Sequence, residues 1–234
     1  MYSDGLMEDD DGAAAPDRAT LTREAIVRTA IRLADAEGRK AVTLRRLAAE
    51  LGVTPMAPYW HFRNKDELLD GMAAGLFEEI DLSVDPQASW QDQLRALWGA
   101  VLAVLRAHPS VATLPASRTV SSKGGLRVIE SMLEVLGRGG FAPAEATQIA
   151  RHGLRSLVQL VDGEPGVVVR EPSAGRREAG RRGRDLLESL PPERYPRLVE
   201  AAVPLSEGVD PESWFGFGLD LLLAGVEAMA PARD

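Results

Sequence analysis

The chain contains no cysteine, only 5% aromatic residues, and no apolar run approaching the length of about eighteen residues that a membrane-spanning helix requires. Without cysteine there is neither disulfide stapling nor a thiolate metal site, which fits a reducing cytoplasm. Scarce aromatics point to helices packed through Leu, Ala and Val. The acidic N-terminus lacks the basic start and apolar stretch of a signal peptide, so no membrane contact is expected. Also missing are a Gly-rich phosphate loop, a nucleophile elbow and paired carboxylates on neighbouring helices, which leaves a thin case for an enzyme. The histidines are His61, His108 and His152. No cluster with metal-ligand spacing includes them, and no metal or cofactor is expected.

What is present is 234 residues, 45% of them hydrophobic, enough for a small domain joined to a larger one. The net charge of −8 is unevenly distributed. Residues 1–17 carry six acids and no base, and the 17 bases after residue 70 are outnumbered by 22 acids. Between them, residues 18–70 hold ten Lys/Arg against seven Asp/Glu. The one positive block is the one that phosphate contact would need, and an acidic body would keep nucleic acid away from the rest of the surface.

That block holds the most informative pattern in the chain. Leu44, Leu47, Ala48 and Leu51 recur at i, i+3, i+4 and i+7, one apolar face of a short helix. Thr43 is placed as its N-cap, with Val42 and Leu47 as a hydrophobic staple, and Gly52 ends it. Thr54 then caps a second helix with Pro55 at its first position. Helix, glycine turn and helix within so few residues form a helix-turn-helix pattern, in which the second helix enters the DNA major groove. Pro58 would be the fourth position of that helix, where it removes the first intrahelical hydrogen bond, and it pushes Ala57 away from α geometry. An irregular start is expected.

The text that follows, Tyr59-Trp60-His61-Phe62 and then Asn64-Lys65-Asp66-Glu67-Leu68-Leu69, closely resembles the tetracycline-repressor (TetR) family of bacterial transcription regulators. The resemblance covers Leu21 to Leu69. A weaker similarity to the tetracycline-repressor branch lies in residues 191–196 and 215–223. It implies an all-α protein with a three-helix DNA-binding head and a helical body that dimerises and encloses a small effector. The corresponding divisions are an acidic tail at 1–19, the head at 20–66 and the body at 67–234.

The resemblance also assigns roles. Arg45 matches an arginine that reaches a base edge; guanine reading and phosphate binding are both open to it. Thr43, Thr54, Tyr59, His61 and Lys65 match positions that bind phosphates. Met56 and Ala57 form the exposed face of the second helix, suited to thymine methyls. Trp60 either packs on the sugar–phosphate backbone or braces the head from within. For the effector the candidates are Trp98, Leu102, His108, Met132, Phe141 and Phe217, each with a plainer alternative: core packing for the apolar ones, a helix C-terminal cap for His108.

In the rest of the chain, Thr22 opens a helix that ends at Gly38, and Asn64 with Glu67 opens another reaching Ile80. Ser89 caps a third with the stripe Trp90, Leu94, Leu97, Trp98, Val101, Leu102 and Leu105. Further helices are predicted over Leu126–Leu136, Pro143–Val161, Asp185–Leu190, Glu193–Val203 and Pro211–Ala230, with Gly163–Arg184 read as a mobile stretch to which no structure is assigned. Pro143–Val161 and Pro211–Ala230 are the candidates for the dimer's four-helix bundle. The expected function is a ligand-responsive regulator, a repressor that binds a palindromic operator as a homodimer. The alternatives are a constitutive DNA binder without ligand control and a helical-bundle enzyme.

Overall fold

The computed structural model describes residues 21–164, 173–207 and 209–231; the expected tail at 1–19 lies outside them. Among the described residues there is no strand, and the helices in order are α1 (Arg23–Glu37), α2 (Leu44–Glu50), α3 (Lys65–Glu78), α4 (Trp90–Ala107), α5 (Leu114–Arg118), α6 (Lys123–Arg138), α7 (Pro143–Asp162), α8 (Ser173–Glu188), α9 (Pro196–Glu200), α10 (Ala202–Ser206) and α11 (Pro211–Met229). Short 3₁₀ turns link several of them. None of these helices alone is long and apolar enough to cross a membrane.

The helix starts follow from local chemistry. Thr22, Thr43, Asn64, Ser89, Ser122 and Asp210 each accept a hydrogen bond from the backbone N–H three residues on, satisfying a donor the helix itself leaves unpaired. Gly52 sits at φ +66°, the left-handed geometry that closes α2 and turns the chain.

Two apolar cores result. The head core gathers Ile26, Ala30 and Leu33 of α1, Leu44 and Leu47 of α2, Phe62, and Leu68, Met72 and Leu76 of α3. The body core gathers α4, α6, α7 and α11 around Leu97, Trp98, Leu136, Leu157 and Phe215. One helix serves both: α3 is buried in the head through Leu76, while Phe77 and then Ile80 belong to the body. The two cores therefore meet along α3, the helix whose first turn holds the 66/67 position read from the sequence as the boundary.

Three expectations need correction. The stretch Gly163–Arg184, read as mobile and given no structure, contains most of α8, which packs on α10 and α9. The helix predicted over Glu193–Val203 is two short ones, α9 and α10, broken at Ala201. The second helix of the helix-turn-helix is a 3₁₀ segment, Ala57–Trp60, with no side-chain cap from Thr54. Its bonds run three residues back, Tyr59 N–H to the Met56 carbonyl (3.1 Å) and His61 N–H to that of Pro58 (3.1 Å), because Pro58 has no N–H to give an α-helical ladder.

The α1–α3 crossing is close because α3 presents Gly71 and Gly75 to α1. A Cβ on Gly71 would lie 2.8 Å from the Phe62 ring and 3.1 Å from Val27; one on Gly75 would lie 2.8 Å from Val27. Gly71→Val is expected to lower unfolding stability by about 1–3 kcal/mol through overpacking. Urea denaturation followed by circular dichroism checks it; an unchanged midpoint would mean that the crossing adjusts freely.

Candidate nucleic-acid interface and body cavity

The head divides its aromatic segment in two. Phe62 is fully buried, whereas Tyr59 is 45% and Trp60 86% exposed. Trp60 therefore does not brace the head from within. Arg23 anchors the segment: its Nη1 donates to the His61 carbonyl (2.6 Å) and to Glu67 (3.1 Å), and its guanidinium lies 4.1 Å over the Phe62 ring. Glu67 in turn accepts from the Arg63 N–H (2.9 Å), and this bond, followed by Arg23, holds its carboxyl below the ordinary range.

Of the expected DNA-contacting residues, Thr43, Arg45, Thr54, Met56, Tyr59, Trp60 and Lys65 are exposed, while Ala57 and His61 are half-buried. Neighbouring arginines differ in a way the sequence does not reveal. Arg46 is engaged by Glu37 (2.9 Å) and Glu50 (2.7 Å), but Arg45 has no carboxylate partner among the described residues, nor does Lys65. Thr43 accepts from the Arg46 N–H through its hydroxyl oxygen, so its own hydroxyl hydrogen is not used by the cap. Free cations and hydroxyl donors beside an exposed indole are what a phosphate backbone meets.

In the body, a cavity of about 630 Å³ opens between α5, α6 and α7, floored by Val128, Met132, Leu133, Ala150 and Leu154. That volume suits a drug-sized molecule. Of the six residues expected to contact an effector, Met132 lies on it and the others do not. Trp98 and Leu102 are buried in the core between α4 and its neighbours, and Phe141 meets Trp90 edge-on at 5.7 Å. Phe217 points outward, 72% exposed. Most of the cavity wall went unread because α5 is short and the α6 stripe looks like ordinary core spacing.

His108 has a different place altogether. It ends α4 and bridges the two units, Nδ1 to Asp35 of α1 at 2.7 Å and Nε2 to Glu79 at the end of α3 at 3.0 Å. Arg28 and Arg32 of α1 line the same crevice. Burial works against a charged imidazole here, but the hydrogen bonds and charges of Asp35 and Glu79 outweigh it and raise its pKa.

A helix-turn-helix head carried on a helical body with an open cavity is the arrangement of a DNA-binding regulator. Residues 26–72 match the family described as bacterial regulatory proteins, tetR family, and residues 83–230 match the tetracyclin repressor-like C-terminal domain. The chain is 31% identical over 211 residues to the class C tetracycline repressor protein of Escherichia coli, covering 89% of this chain and 92% of that one. It is 30% identical over 216 residues to an HTH-type transcriptional regulator of Saccharopolyspora erythraea, covering 90% and 86%. The crystal structure of the TetR family protein ActR of Streptomyces coelicolor in complex with actinorhodin superposes with a TM-score of 0.79 at 28% identity, covering 91% of this chain and 98% of that one. The chain belongs to the TetR family and is a transcriptional regulator, not an enzyme.

The His108 bridge carries a pH dependence. Its folded pKa is raised, so its contribution is complete below the ordinary histidine value and is lost as pH rises through the folded value. His108→Gln is expected to lower the melting temperature at about pH 6, with the deficit shrinking by about pH 9. Thermal melts at the two pH values check this; a deficit independent of pH would sink the charged-bridge reading.

Proposed function

We propose that the protein is a ligand-released repressor that grips a two-fold operator as a homodimer. The observation that carries ligand control is the 630 Å³ cavity, because its walls are tied to the helix that carries the head. α5 packs along α3, with Arg118 bonded to Asp70 at 2.6 Å; Arg127 of α6 reaches Glu78 at 2.9 Å, and Gly124 and Gly125 abut Phe77. An occupant that moved α5 or α6 would move α3. A ligand that favours one head separation over the other by about 1–3 kcal/mol would change DNA affinity by about 5–150-fold. A constitutive DNA binder would have no use for such a cavity. The test is operator release: a compound that shifts the melting temperature is titrated into the protein–operator complex, and a complex that stays intact at saturating compound would count against the reading.

For the dimer, α7 and α11 pack together and leave their outer faces uncovered. Phe217 and Leu221 are 72% and 64% exposed, followed along α11 by exposed Ala224, Gly225 and Ala228. A shallow groove beside them is lined by His152, Arg155, Gln159, Leu160 and Leu221. An apolar stripe of small and large residues on a helix pair suits an isologous four-helix bundle. Leu221→Glu is expected to give a monomer without operator binding; an intact dimer by sedimentation would move the interface elsewhere.

Two half-sites about 34 Å apart, or a multiple of it, would then be read by the paired heads. In each, Thr43, Thr54, Tyr59, His61 and Lys65 hold phosphates, Trp60 lies on the sugar–phosphate backbone, Met56 and Ala57 meet thymine methyls, and Arg45 reads a base. Arg45→Ala is expected to cost about 1–3 kcal/mol on the preferred site and to relax its sequence preference. Lys65→Ala should weaken all sequences alike and reduce the salt slope by about one. Binding titrations on operator and random duplexes at several salt concentrations distinguish the two; equal losses on both duplexes for Arg45→Ala would remove its base-reading role.

A further inference from the structure

On the reading that the body cavity is the effector site, we infer that its effector is an amphipathic anion: a largely apolar molecule with one acidic group, a carboxylate or an acidic phenol, held by Arg151 and Arg155. Both arginines line the cavity and stand one turn apart on α7. Side chains at i and i+4 on a helix are neighbours, and two like charges there repel. On the neighbouring helices, away from the cavity lining, Arg118 of α5 is neutralised by Asp70 and Arg127 of α6 by Glu78. Arg151 and Arg155 have no carboxylate partner among the described residues. An anion between or beside them would relieve the repulsion and accept charge-assisted hydrogen bonds.

The remaining polar groups of the cavity narrow the choice. Ser117 donates its hydroxyl to the Leu114 carbonyl (3.2 Å), Thr119 to that of Pro115 (2.7 Å) and Thr147 to that of Pro143 (2.7 Å). Their hydrogens are spent on helix backbone, so these oxygens are left to accept. The two guanidiniums are therefore the cavity's donors. They suit a ligand whose acceptors are gathered at one end, while Val128, Met132, Leu133, Ala150 and Leu154 take its apolar remainder. A cationic or a donor-rich neutral ligand would meet two uncompensated positive charges.

The test compares two fluorescent probes with the same ring system, anthracene-2-carboxylate and 2-(hydroxymethyl)anthracene, titrated into the intact protein. The carboxylate is expected to bind tighter by about tenfold or more, the worth of one charge-assisted hydrogen bond. Arg151→Gln/Arg155→Gln, at exposed positions that leave the core untouched, should bring the two probes to parity by weakening the carboxylate alone, with circular dichroism as wild type. Because Arg155 also borders the α7/α11 groove, Arg151→Gln alone, which does not, should reduce the carboxylate preference with sedimentation unchanged. Thr147→Trp, at the exposed rim, should weaken both probes. Equal affinities in the wild type, or a carboxylate preference that survives the double substitution, overturns the anion assignment; if Thr147→Trp still weakens both, the cavity reading stands without it. Binding of neither probe, or binding indifferent to Thr147→Trp, overturns the assignment together with the cavity reading beneath it.

Discussion

The position of the head rests on one helix belonging to two cores at once. α3 meets α1 through Gly71 and Gly75, where the absence of side chains brings the two helix backbones close, and it enters the body through Phe77. Because packed interiors tolerate little change of volume, neither contact deforms gradually. A displacement of the body half of α3 is therefore carried to the head rather than absorbed. The body in turn grips α3 laterally with Arg118–Asp70 and Arg127–Glu78, and from the end of α4 with His108. Val111 and Leu114, just before and within the first turn of α5, are buried in the head's own core, so the cavity-forming segment and the head share apolar surface directly.

Charge is distributed with the same economy. Across the described residues about half of the arginines face a carboxylate, among them Arg23 with Glu67, Arg46 with Glu37 and Glu50, Arg106 with Glu212 and Arg138 with Glu134. Exposed pairs of this kind add little stability each, but they cancel fields that would otherwise act on neighbours. Among the described residues Arg45 and Lys65 on the head and Arg151 and Arg155 on the cavity have no carboxylate partner, and neither do Arg28, Arg39, Arg63, Arg181, Arg182 and Arg194 elsewhere. An acidic protein can thus bind DNA with a local field opposite in sign to its net charge.

Much of this was legible from short-range chemistry. The caps Thr22, Thr43, Asn64, Ser89 and Asp210, the turn at Gly52 and the α4 stripe could be read because each depends on residues three or four positions apart. The irregular recognition segment was legible too, since a proline acts on its own turn. The lining of the body cavity was not. Trp98, Phe141 and Met132 have the same helical spacing and the same apolar character, yet only Met132 lines a space; which buried side chain has a void beside it depends on helices far apart in sequence. Likewise a histidine at a helix C-terminus reads as a cap, and nothing near it in sequence announces Asp35, 73 residues earlier.

The sequence by itself determined the all-α class, the helix-turn-helix, the positive head within an acidic chain and the family, because these are set by local periodicity, capping and motif text. Tertiary structure decided which arginines remain unpaired, that Trp60 faces outward while Phe62 is buried, where the cavity lies and that His108 ties head to body. Those are outcomes of long-range packing, where a side chain's role is fixed by whatever the fold brings within a few ångströms of it.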